Sequence, residues 1–566
     1  MNLILCAATA TLLCLPLIAQ DGLTLHHPFG STDTVLIDST GMTVHSWLGT
    51  AGPALSVYLL PDGDLLRSRN PFGASGGGGV GFERVTYDGT VEWQFTLATS
   101  TLTPHHDMLM LPNGNVLMVI WEEVGGSVAL AEGRDPSTLG GSFKPDILYE
   151  IAETGPTSGS IIWEWHAFDH LVQDFDNSLP NFGVIADHPE RIDINYGPSG
   201  DWMHTNAIDY HPEFDQIAIS VPNFDEVWII DHSTSSAEAA GSTGGNSGKG
   251  GDLLYRFGNP EAYDRGTAAD RVFYFLHDVQ WVKPGRPGAG NMTVFNNGRS
   301  RPTGDWSSAD EWVPPVDAFG NYTIGAGVAY GPTALLWTYS DIGNFFTNIM
   351  GGVERLENGN TLICEATSSR LFEVTDGGAT AWNHVNTLGS PSWIFKARRY
   401  PDCNTNRVPD SQDIASGAED DLNDNGVLDG CESPTNYCDA APNSTGLAAS
   451  MGWFGSTSIL SNDLDLLVGD CPANVSGIFA YGPNQGSMPA GDGSLCLSAP
   501  FVRISPPTQT DASGLAMHSF DNQNLPMTSP ILTAGTTLNF TFWYRDPAGG
   551  PAGFNFSDGL SVLFVN

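Results

Sequence analysis

The chain has 566 residues, of which 41% are hydrophobic and 10% aromatic, so it is a folded protein of more than one domain and not a disordered one. Its formal net charge of −42 argues against nucleic acids and anionic membrane surfaces as partners, because both are polyanions. The same charge favours bound divalent cations, and the 66 glycines suit an all-β chain rich in turns.

The N-terminal run LILCAATATLLCLPLIAQ is short, apolar and rich in small residues just before Asp21. This pattern is typical of a secretory signal peptide, which we place at residues 1–20. A membrane anchor is the alternative, and the run is slightly short for one. No other stretch could span a bilayer, so we expect a secreted, periplasmic or cell-surface protein without a membrane span once the signal is removed.

A hairpin pattern recurs between residue 33 and about residue 400. One half carries an Asp-Gly or Asn-Gly turn between apolar runs, at 60–66, 111–118 and 356–363. The other half is a second pair of apolar runs, at 36–47, 84–95, 148–165, 227–258 and 371–384. Together the halves give four antiparallel strands, which make one blade of a β-propeller.

Five full blades are predicted, at 54–95, 104–165, 204–258, 276–340 and 353–385. A sixth blade is predicted from segments 33–48 and 393–400, so that the two ends of the repeat region close the ring and leave no open sheet edge. The prediction is therefore an all-β, six-bladed β-propeller over residues 21–400. A seven-bladed ring and a stacked β-sandwich are the alternatives.

Residues 401–433 have the spacing of two calcium-binding loops, which predicts a short linker stiffened by structural Ca²⁺. The ligands expected at positions 1, 3, 5, 7, 9 and 12 of the first loop are Asp402, Asn404, Asn406, Val408, Asp410 and Asp413. Those expected in the second loop, which has Gly426 at position 6, are Asp421, Asn423, Asn425, Val427, Asp429 and Glu432. An acidic, solvated linker without metal is the alternative.

Residues 434–566 alternate apolar and polar positions between Gly, Asn and Pro turns, which predicts a separate β-sandwich domain. An adhesive or carbohydrate-contacting role fits such a module, although no residue selects it. Most cysteines lie in this last third, and in an exported protein they indicate disulfides. The preferred pairs are Cys403–Cys431 and Cys471–Cys496, with Cys438 unassigned and Cys364 predicted to be a buried free thiol.

Three histidines occupy one register of the repeat. His106, His204 and His277 each lie eight residues before the turn of their unit, whereas two other blades have Leu55 and Gly351 there. Because the innermost strands of a propeller line one axis, the three imidazoles are expected to converge there. Packing alone would favour small or apolar side chains at these positions, so a functional site is predicted.

Four stretches of residues 33–400 carry a family resemblance: HHDMLMLPNGNVL, DWMHTNAIDY, the strand that begins at His277, and GGVERLENGNTLICEATSSRLFEVT. Through them, residues 33–400 resemble the arylsulfate sulfotransferase family, a family of exported bacterial six-bladed propellers. The family moves sulfuryl groups between phenols through a covalent sulfo-histidine. The resemblance implies that His277 is the nucleophile, with His106 and His204, or His105 in the first position, donating hydrogen bonds to the sulfuryl oxygens. The linker and last domain resemble dockerin-like and other modules of secreted planctomycete proteins.

The chain departs from the family at one arginine, where Pro222 or Asn223 stands instead. A guanidinium binds two sulfuryl oxygens through parallel hydrogen bonds, and neither Pro222 nor Asn223 can make this pair of bonds. The sequence offers Arg256, Arg299, Arg301 and Arg370 as replacements from other strands. No nucleotide cofactor is expected, because the glycine run at 73–81 is not followed by the Lys-Ser/Thr of a phosphate-binding loop.

Three functional hypotheses follow. The first is sulfuryl transfer between an aryl sulfate and a phenol. The second is a secreted propeller that binds or scaffolds without turnover, which the missing arginine would fit. The third is a zinc or copper site made by the three histidines. Asp107 and Asp278 follow two of these histidines, and strict strand alternation predicts that their side chains turn away from the channel.

Overall fold

The computed structural model describes residues 19–49, 52, 55–70, 77–419, 421, 426–428, 431, 434–525 and 532–565. Within them the chain is all-β and divides into two compact units, residues 1–412 and 413–566. The predicted signal peptide lies outside the described residues except for its last two positions. No helix of the described chain is long and apolar enough to cross a bilayer.

The described part of the first unit contains six four-stranded antiparallel sheets, numbered here along the chain. Sheet 1 combines the two ends of the repeat region: Ile394–Tyr400, Leu23–Pro28, Thr34–Ile37 and Thr43–Trp47. Sheets 2 and 3 consist of Val57–Leu59, Leu65–Arg69, Gly81–Val85 and Val91–Thr96, and of Leu102–Met110, Val116–Glu122, Asp146–Gly155 and Ser158–His166.

Sheets 4 to 6 repeat the same order of four antiparallel strands. Sheet 4 has Ala207–His211, Gln216–Val221, Glu226–Asp231 and Tyr255–Phe257, and sheet 5 has Leu276–Trp281, Met292–Asn296, Ser308–Trp312 and Trp337–Ser340. Sheet 6 has Gly352–Arg355, Thr361–Glu365, Arg370–Val374 and Thr380–Val385. The hairpin halves found in the sequence therefore form the strand pairs that they predict.

The strand Leu23–Pro28 was not predicted. It lies between the two chain ends in sheet 1, with Leu25 opposite both Leu36 and Arg398. All six of its residues are buried, because it is a central strand covered on both faces. Its sequence, LTLHHP, lacks the alternation of a half-exposed strand, and for this reason it escaped the sequence analysis.

Helices and short strand pairs fill the connections. Two short pairs are parallel: Phe143–Lys144 with Gly200–Asp201, and Leu171–Val172 with Ile192–Asp193. The α-helices are Gly126–Ala131, Ser236–Ala239 and Asp410–Ser416. The 3₁₀ turns are Ala167–Asp169, Ile185–Asp187, Pro260–Tyr263, Ala268–Asp270 and Ala366–Ser368.

One edge strand of each sheet is called its leading strand here. In sheets 1 to 6 these are Ile394–Tyr400, Val57–Leu59, Leu102–Met110, Ala207–His211, Leu276–Trp281 and Gly352–Arg355. Hydrogen bonds connect each leading strand to those of the neighbouring sheets. The Tyr400 hydroxyl accepts the Leu59 N–H at 2.9 Å, and the Tyr58 hydroxyl donates to Asp107 at 2.8 Å. Four side-chain carboxylates then accept backbone N–H groups of the next sheet at 2.7–2.9 Å: Asp107 from Ile208, Asp209 from Trp281, Asp278 from Val353, and Glu354 from Arg399. These contacts join each sheet to the next and sheet 6 to sheet 1.

Hydrophobic packing follows the same order of neighbours. Separate buried clusters join sheets 1 and 2, sheets 2 and 3, sheets 5 and 6, and sheets 6 and 1, and a larger one joins sheets 3, 4 and 5. Residues such as Trp47, Phe82, Trp228 and Phe295 lie at these contacts with almost no solvent exposure. Each sheet is thus covered on both faces by its neighbours.

The second unit contains a larger sheet and a three-stranded sheet whose buried side chains share one hydrophobic core. The larger sheet has Thr435–Tyr437, Gly559–Phe564, Thr536–Arg545, Ser476–Gly482 and Val502–Arg503, with Thr508–Gln509 and Phe554–Phe556 at its edges. The smaller sheet has Ser450–Phe454, Asp465–Gly469 and Ala516–Ser519. A further hairpin joins Asn484–Ala490 and Gly493–Ser498. Two sheets that enclose one core are the packing of a sandwich.

The cysteine pairing differs from the prediction at one bond. Cys496 pairs with Cys438 and not with Cys471, which is free and buried. The Tyr437 hydroxyl donates to the Cys496 carbonyl at 2.6 Å, and this contact brings Cys438 to a Cα–Cα distance of 5.9 Å from Cys496. Cys403 and Cys431 are each disulfide-bonded. Cys364 is a buried free thiol, as predicted.

Candidate active site

The structure brings the predicted histidines together at the leading strands of sheets 3 to 5. His106 and His204 meet edge to face, with ring centroids 4.5 Å apart. The Phe395 ring lies 6.1 Å from His106 and 6.2 Å from His277, so it fills the space between these two. His277 is close enough to His204 for the charge of one ring to affect the pKa of the other.

The backbone at this register is unusual. His106 and His204 have positive φ angles of 50° and 59°, and Leu55 and Gly351 at the same register have φ of 138° and 122°. His277 has no positive φ itself, but Asp278 directly after it does, at 56°. Non-glycine residues adopt this region at a cost, and it is frequent at functional sites. The left-handed turn changes the direction of the side chains that follow.

His204 is held by a carboxylate. Its Nδ1 donates to Asp201 Oδ2, and Asp201 Oδ1 accepts the Trp121 indole N–H at 2.9 Å. Burial acts to raise the pKa of Asp201, but the hydrogen bond from His204 and the charges and hydrogen bonds around it together lower the pKa below its ordinary value. His204 Nε2 makes no hydrogen bond among the described residues, and the side chain is 20% exposed. Its lone pair is therefore available to a ligand.

His277 is in a different state. Its Nδ1 donates to Asn297 Oδ1 at 2.6 Å, and its Nε2 accepts the Met350 backbone N–H at 3.1 Å. Burial lowers its pKa to about 3, so the ring is neutral at any ordinary pH. A neutral imidazole has one lone pair, and here that pair is already used. The geometry therefore does not support the nucleophilic role that the family resemblance implies for His277.

His105 lies behind His106. The two Nδ1 atoms are 2.9 Å apart, and the His105 ring stacks on Trp121 with centroids 4.0 Å apart. Adjacent residues of a regular strand point to opposite faces, but here three residues between Pro104 and Met108 lie opposite the single residue between Ile120 and Met118. This bulge, together with the positive φ of His106, lets both imidazoles approach each other.

Gly77 lies against the Nε2 side of His106. Its carbonyl accepts the His106 backbone N–H at 2.9 Å, and a Cβ at Gly77 would lie 2.4 Å from His106 Nε2. Burial, followed by the nearby His204, lowers the pKa of His106 well below its ordinary value. The sequence analysis regarded the glycine run as a flexible loop. In its described part, glycine is required to leave space beside an active-site imidazole.

A buried charge cluster next to the histidines was not predicted. Lys396 Nζ, from sheet 1, lies 2.7 Å from Asp107 Oδ2 in sheet 3 and 3.8 Å from Asp278 Oδ1 in sheet 5. Arg398 also pairs with Asp278, through its Nη1 at 2.9 Å. Asp107 and Asp278 therefore turn inward, opposite to the prediction, because bulges interrupt the alternation in both leading strands. Burial acts to raise the pKa of Asp278, but Arg398 and Lys396 lower it.

The structure does not support a metal site made by the three histidines. In the described ranges no group of three or more His, Cys, Asp or Glu side chains is arranged to hold a metal ion. Both ring nitrogens of His277 already have protein partners, as given above. In the first predicted calcium loop, Asp402 and Asp410 are buried, and Asp402 Oδ2 accepts the Arg407 N–H at 3.1 Å. Asp413 is also buried. Asn423, Asn425, Asp429 and Glu432 of the second loop lie outside the described residues.

One of the four candidate arginines lies beside a ring that neighbours the histidines and makes no hydrogen bond or salt bridge to a described residue, although its charge acts against the burial that raises the pKa of Asp225. Arg256 is buried in an ion pair with Glu226, Arg301 binds the Trp306 carbonyl and Ser308, and Arg370 binds Asn383. Arg299 is exposed, and its guanidinium lies 3.9 Å above the Phe275 ring. That ring is 6.1 Å from His204 and 5.6 Å from His277. Asn223 donates to the Asp201 carbonyl at 2.8 Å, next to His204.

Repeated four-stranded antiparallel sheets, with a group of histidines where their leading strands meet, define an all-β repeat protein with a histidine site between its sheets. A sequence profile described as arylsulfotransferase (ASST) matches residues 76–387, which is more than half of the chain and includes the four histidines and Arg299. The chain belongs to the arylsulfotransferase family. An arylsulfotransferase-like function on aryl substrates follows from that membership. No curated protein sequence matches this chain significantly.

Several solved structures are similar to part of the chain. A protein of unknown function from Bacteroides caccae is 12% identical with a TM-score of 0.37, covering 67% of this chain and 98% of that one. The virginiamycin B lyase of Staphylococcus aureus is 11% identical with a TM-score of 0.32, covering 66% and 84%. A periplasmic gluconolactonase of Pseudomonas aeruginosa is 11% identical with a TM-score of 0.35, covering 67% and 99%.

Proposed function

We propose that this protein transfers a sulfuryl group from an aryl sulfate to a phenol through a covalent sulfo-histidine, and that His204 is the nucleophile. The observation that carries the proposal is the state of His204. Its Nδ1–H is held by Asp201, its Nε2 lone pair is unused, and the ring is partly exposed. A carboxylate that holds the Nδ1–H keeps the attacking nitrogen in the basic form and stabilises the positive charge that develops on the ring.

The transfer takes two balanced steps. First, His204 Nε2 attacks sulfur, the N–S bond forms, and the S–O bond to the aryl group breaks, so that the phenolate leaves with the electron pair. Second, the acceptor phenol gives its proton to His106 Nε2 while its oxygen attacks sulfur and the N–S bond breaks. The ring contact of His106 and His204, at 4.5 Å, suits these roles. The released phenolate takes a proton from solvent, and His106 later returns the acceptor's proton to solvent.

The roles of His106 and His204 differ from those that the family resemblance implies. In this proposal each ring has its proton on Nδ1, where His204 is held by Asp201 and His106 contacts His105. Each Nε2 is then bare, so neither ring can donate a hydrogen bond to a sulfuryl oxygen. Arg299 is the group that can. Its guanidinium lies over the Phe275 ring and forms no salt bridge to a described residue, although its charge acts on Asp225. A planar guanidinium with free N–H groups suits the charge that grows on sulfuryl oxygens.

The test is to trap and locate the covalent intermediate. The protein is mixed with 4-nitrophenyl sulfate, the release of 4-nitrophenol is followed from the first turnover, and the modified peptide is identified by mass spectrometry. We expect the sulfuryl group on His204 and a loss of about 10³-fold or more in the first step for His204→Ala. His188→Ala, at an exposed histidine paired with Glu190, is the control and should match the wild type.

Two outcomes would contradict the proposal. A sulfuryl group on the peptide that contains His277, with His204→Ala retaining the initial release, would move the nucleophile to the family position. Absence of 4-nitrophenol release by the wild type would favour a second function, binding without turnover. The observation that favours this second function is that Pro222 or Asn223 stands where the resemblance places the family's arginine, and that Asn223 donates to the Asp201 carbonyl.

We propose further that the six sheets are the blades of a closed six-bladed propeller. The hydrogen bonds that run from sheet 1 through sheet 6 and back to sheet 1 support this arrangement. Lys396 supports it too, because one ammonium group contacts carboxylates of two sheets that are not its neighbours. A chain that lacks residues 19–33 would leave Ile394–Tyr400 with an open edge and should aggregate. Monomeric, cooperative folding of that chain would contradict closure.

We also propose that the protein is exported and that its linker binds structural Ca²⁺. Disulfide-bonded cysteines are compatible with an oxidising compartment. Buried Asp402 and Asp410 and the loop spacing support calcium, whose preferred ligands are oxygens. Millimolar Ca²⁺ should raise the melting temperature of the wild type and not that of an Asp402→Ala, Asp421→Ala double variant. Equal melting temperatures of the wild type with Ca²⁺ and with chelator would contradict the calcium sites.

A further inference from the structure

Two buried side chains, His105 and Asp146, lie behind the His106 ring. The side chain of His105 has no solvent exposure and that of Asp146 has 1%. His105 Nε2 lies 3.3 Å from Asp146 Oδ1, and neither atom makes a regular hydrogen bond to any described group. The other oxygen, Asp146 Oδ2, accepts the Thr205 backbone N–H at 2.8 Å, which fixes the carboxylate in place.

These contacts indicate where the ring protons lie. A carboxylate oxygen only accepts, and a bare nitrogen 3.3 Å from it would be repelled, so the favoured place for a His105 hydrogen is Nε2, even though the contact is not a regular hydrogen bond. A neutral His105 with its hydrogen on Nε2 presents a lone pair on Nδ1. The His106 Nδ1, 2.9 Å away, must then be the donor of the pair. His106 therefore has its hydrogen on Nδ1 and a bare Nε2.

Trp121 links this arrangement to His204. Its ring stacks on His105 with planes 8° apart, and its indole N–H donates to Asp201, the partner of His204. One tryptophan therefore fixes the plane of His105 and one oxygen of Asp201. The two Nε2 lone pairs proposed to act on the substrate depend on the same side chain for their orientation.

We infer that Asp146 and His105 form a relay that keeps the proton of His106 on Nδ1, so that His106 Nε2 accepts the proton of the phenol in the second step. They are positioning residues, since they act through His106. The inference rests on the proposed function for its catalytic part. When His106 takes the phenol proton, its positive charge is shared through His105 with the carboxylate of Asp146, and the proton later returns to solvent.

The test uses Asp146→Asn in the full-length protein. The asparagine oxygen can still accept the Thr205 N–H, while its NH₂ group faces His105 Nε2 and can only donate. His105 then has its hydrogen on Nδ1 and donates it to His106, whose own hydrogen must move to Nε2. We expect the ¹⁵N signal of His106 Nε2, assigned with His106→Gln, to change from the bare to the protonated type.

Kinetics give the second readout. We expect Asp146→Asn to retain the initial release of 4-nitrophenol and to lose about 10²–10⁴-fold in transfer to the phenol acceptor. His105→Phe, which preserves the stack on Trp121, should likewise retain the initial release and lose the transfer to the acceptor. The matched control is Asp252→Asn, at a buried aspartate 2.9 Å from the buried His170 and away from the site. It should change neither the His106 signal nor the acceptor step.

Three results are decisive. A protonated His106 Nε2 in the wild type would overturn the relay, and so would an Asp146→Asn variant with wild-type ring signals. An equal loss in both steps for Asp146→Asn would show a merely structural role. If the wild type releases no 4-nitrophenol, the proposed reaction fails on its own, while the ring signals still decide whether the relay exists.

Discussion

At the residue scale, chemistry depends on which ring nitrogens are free. The sequence places three histidines at one register but cannot assign their hydrogen bonds, which come from residues far along the chain. His277 is separated by 73 residues from Met350, whose N–H occupies its Nε2. Asp201 lies in a short parallel strand pair, Phe143–Lys144 with Gly200–Asp201, that no sequence pattern indicated. For these reasons the nucleophile assignment changed while the group of histidines did not.

Arg299 is the first test at this scale. Replacing it with alanine removes the guanidinium that stands over Phe275, and we expect kcat/KM for the aryl sulfate to fall by about 10²–10³-fold. Arg299→Lys retains the charge without the planar fork and should recover only part of the loss. Steady-state kinetics with 4-nitrophenyl sulfate measure the effect. Arg503→Ala, at an exposed arginine of the second unit, is the control. An unchanged kcat/KM in Arg299→Ala would remove this residue from the site.

Gly77 gives a second test. In Gly77→Ala the new methyl group would lie 2.4 Å from His106 Nε2, so we expect transfer to the phenol acceptor to be lost. Gly89→Ala is the matched control, because Gly89 has a similar positive φ but nothing within 4 Å of a Cβ. Both variants carry about 1–2 kcal/mol of backbone strain. Gly89→Ala should keep its activity, whereas Gly77→Ala, whose methyl group also crowds the buried His106 ring, should lose activity and some additional stability. Equal activities would contradict the steric role.

At the element scale, the sheets are held to one another by buried polar contacts as well as by hydrophobic cores. The sequence indicated the hairpins, since Asp-Gly and Asn-Gly turns between apolar runs are local signals. It did not indicate the partners of the leading-strand carboxylates, since they belong to a different repeat each time. Asp107 and Asp278 show this most clearly, because bulges reverse the side-chain directions that regular alternation predicts.

A Lys396 variant measures how much one buried polar contact between sheets contributes to the free energy of unfolding. In Lys396→Met the carboxylate of Asp107 stays buried without its cation, and we expect the free energy of unfolding to fall by about 3–5 kcal/mol. Lys283→Met is the control, because the Lys283 side chain is 44% exposed beside Asp209 and should contribute about 1 kcal/mol or less. Urea denaturation at neutral pH compares the two. Similar losses in both variants would contradict the buried role of Lys396.

His232 joins sheets 3 and 4. Its Nδ1 lies 2.7 Å from Asp215 and its Nε2 lies 3.1 Å from Glu150 of sheet 3. Burial acts to lower its pKa, but these carboxylates raise it to about 9. The stabilisation, about 3 kcal/mol from a shift of this size, is complete below the unfolded pKa of about 6.5 and disappears as pH rises through 9. Urea denaturation between pH 6 and 10 should therefore show the free energy of unfolding decreasing as the pH rises.

His232→Gln should remove this alkaline loss of stability, because glutamine does not titrate. His188→Gln, at an exposed histidine beside Glu190, should retain the full pH dependence of the wild type. If His232→Gln loses stability between pH 7 and 9 as steeply as the wild type does, the contact between sheets 3 and 4 is not the charged one described here.

At the scale of the whole molecule, buried neutral histidines predict acid sensitivity. Burial lowers the pKa of His26 to about 4 and those of His27 and His277 to about 3. Each ring binds a proton more readily in the unfolded chain, so its contribution to stability is complete above pH 6.5 and falls as pH decreases below that value. Thermal unfolding from pH 8 to pH 4 should show a steep decrease below pH 6.5.

A His26→Leu, His27→Phe double variant tests this origin. In this variant the melting temperature should depend less on pH between 6.5 and 4. Both histidines lie on the buried strand Leu23–Pro28, and the replacements do not titrate. A variant at the half-exposed His518 of the second unit, His518→Gln, should leave the slope unchanged. An unaltered slope in the double variant would place the acid sensitivity elsewhere.

The sequence by itself determined the all-β class, the repeated hairpins and the shared register of the histidines, because these follow from local periodicity and turn chemistry. Only the tertiary structure decided the strand Leu23–Pro28, the pairing of Cys438 with Cys496, the inward carboxylates and the hydrogen-bond partners of the imidazoles. Each of these depends on groups from distant parts of the chain that folding brings within hydrogen-bond or covalent distance, which no local pattern encodes.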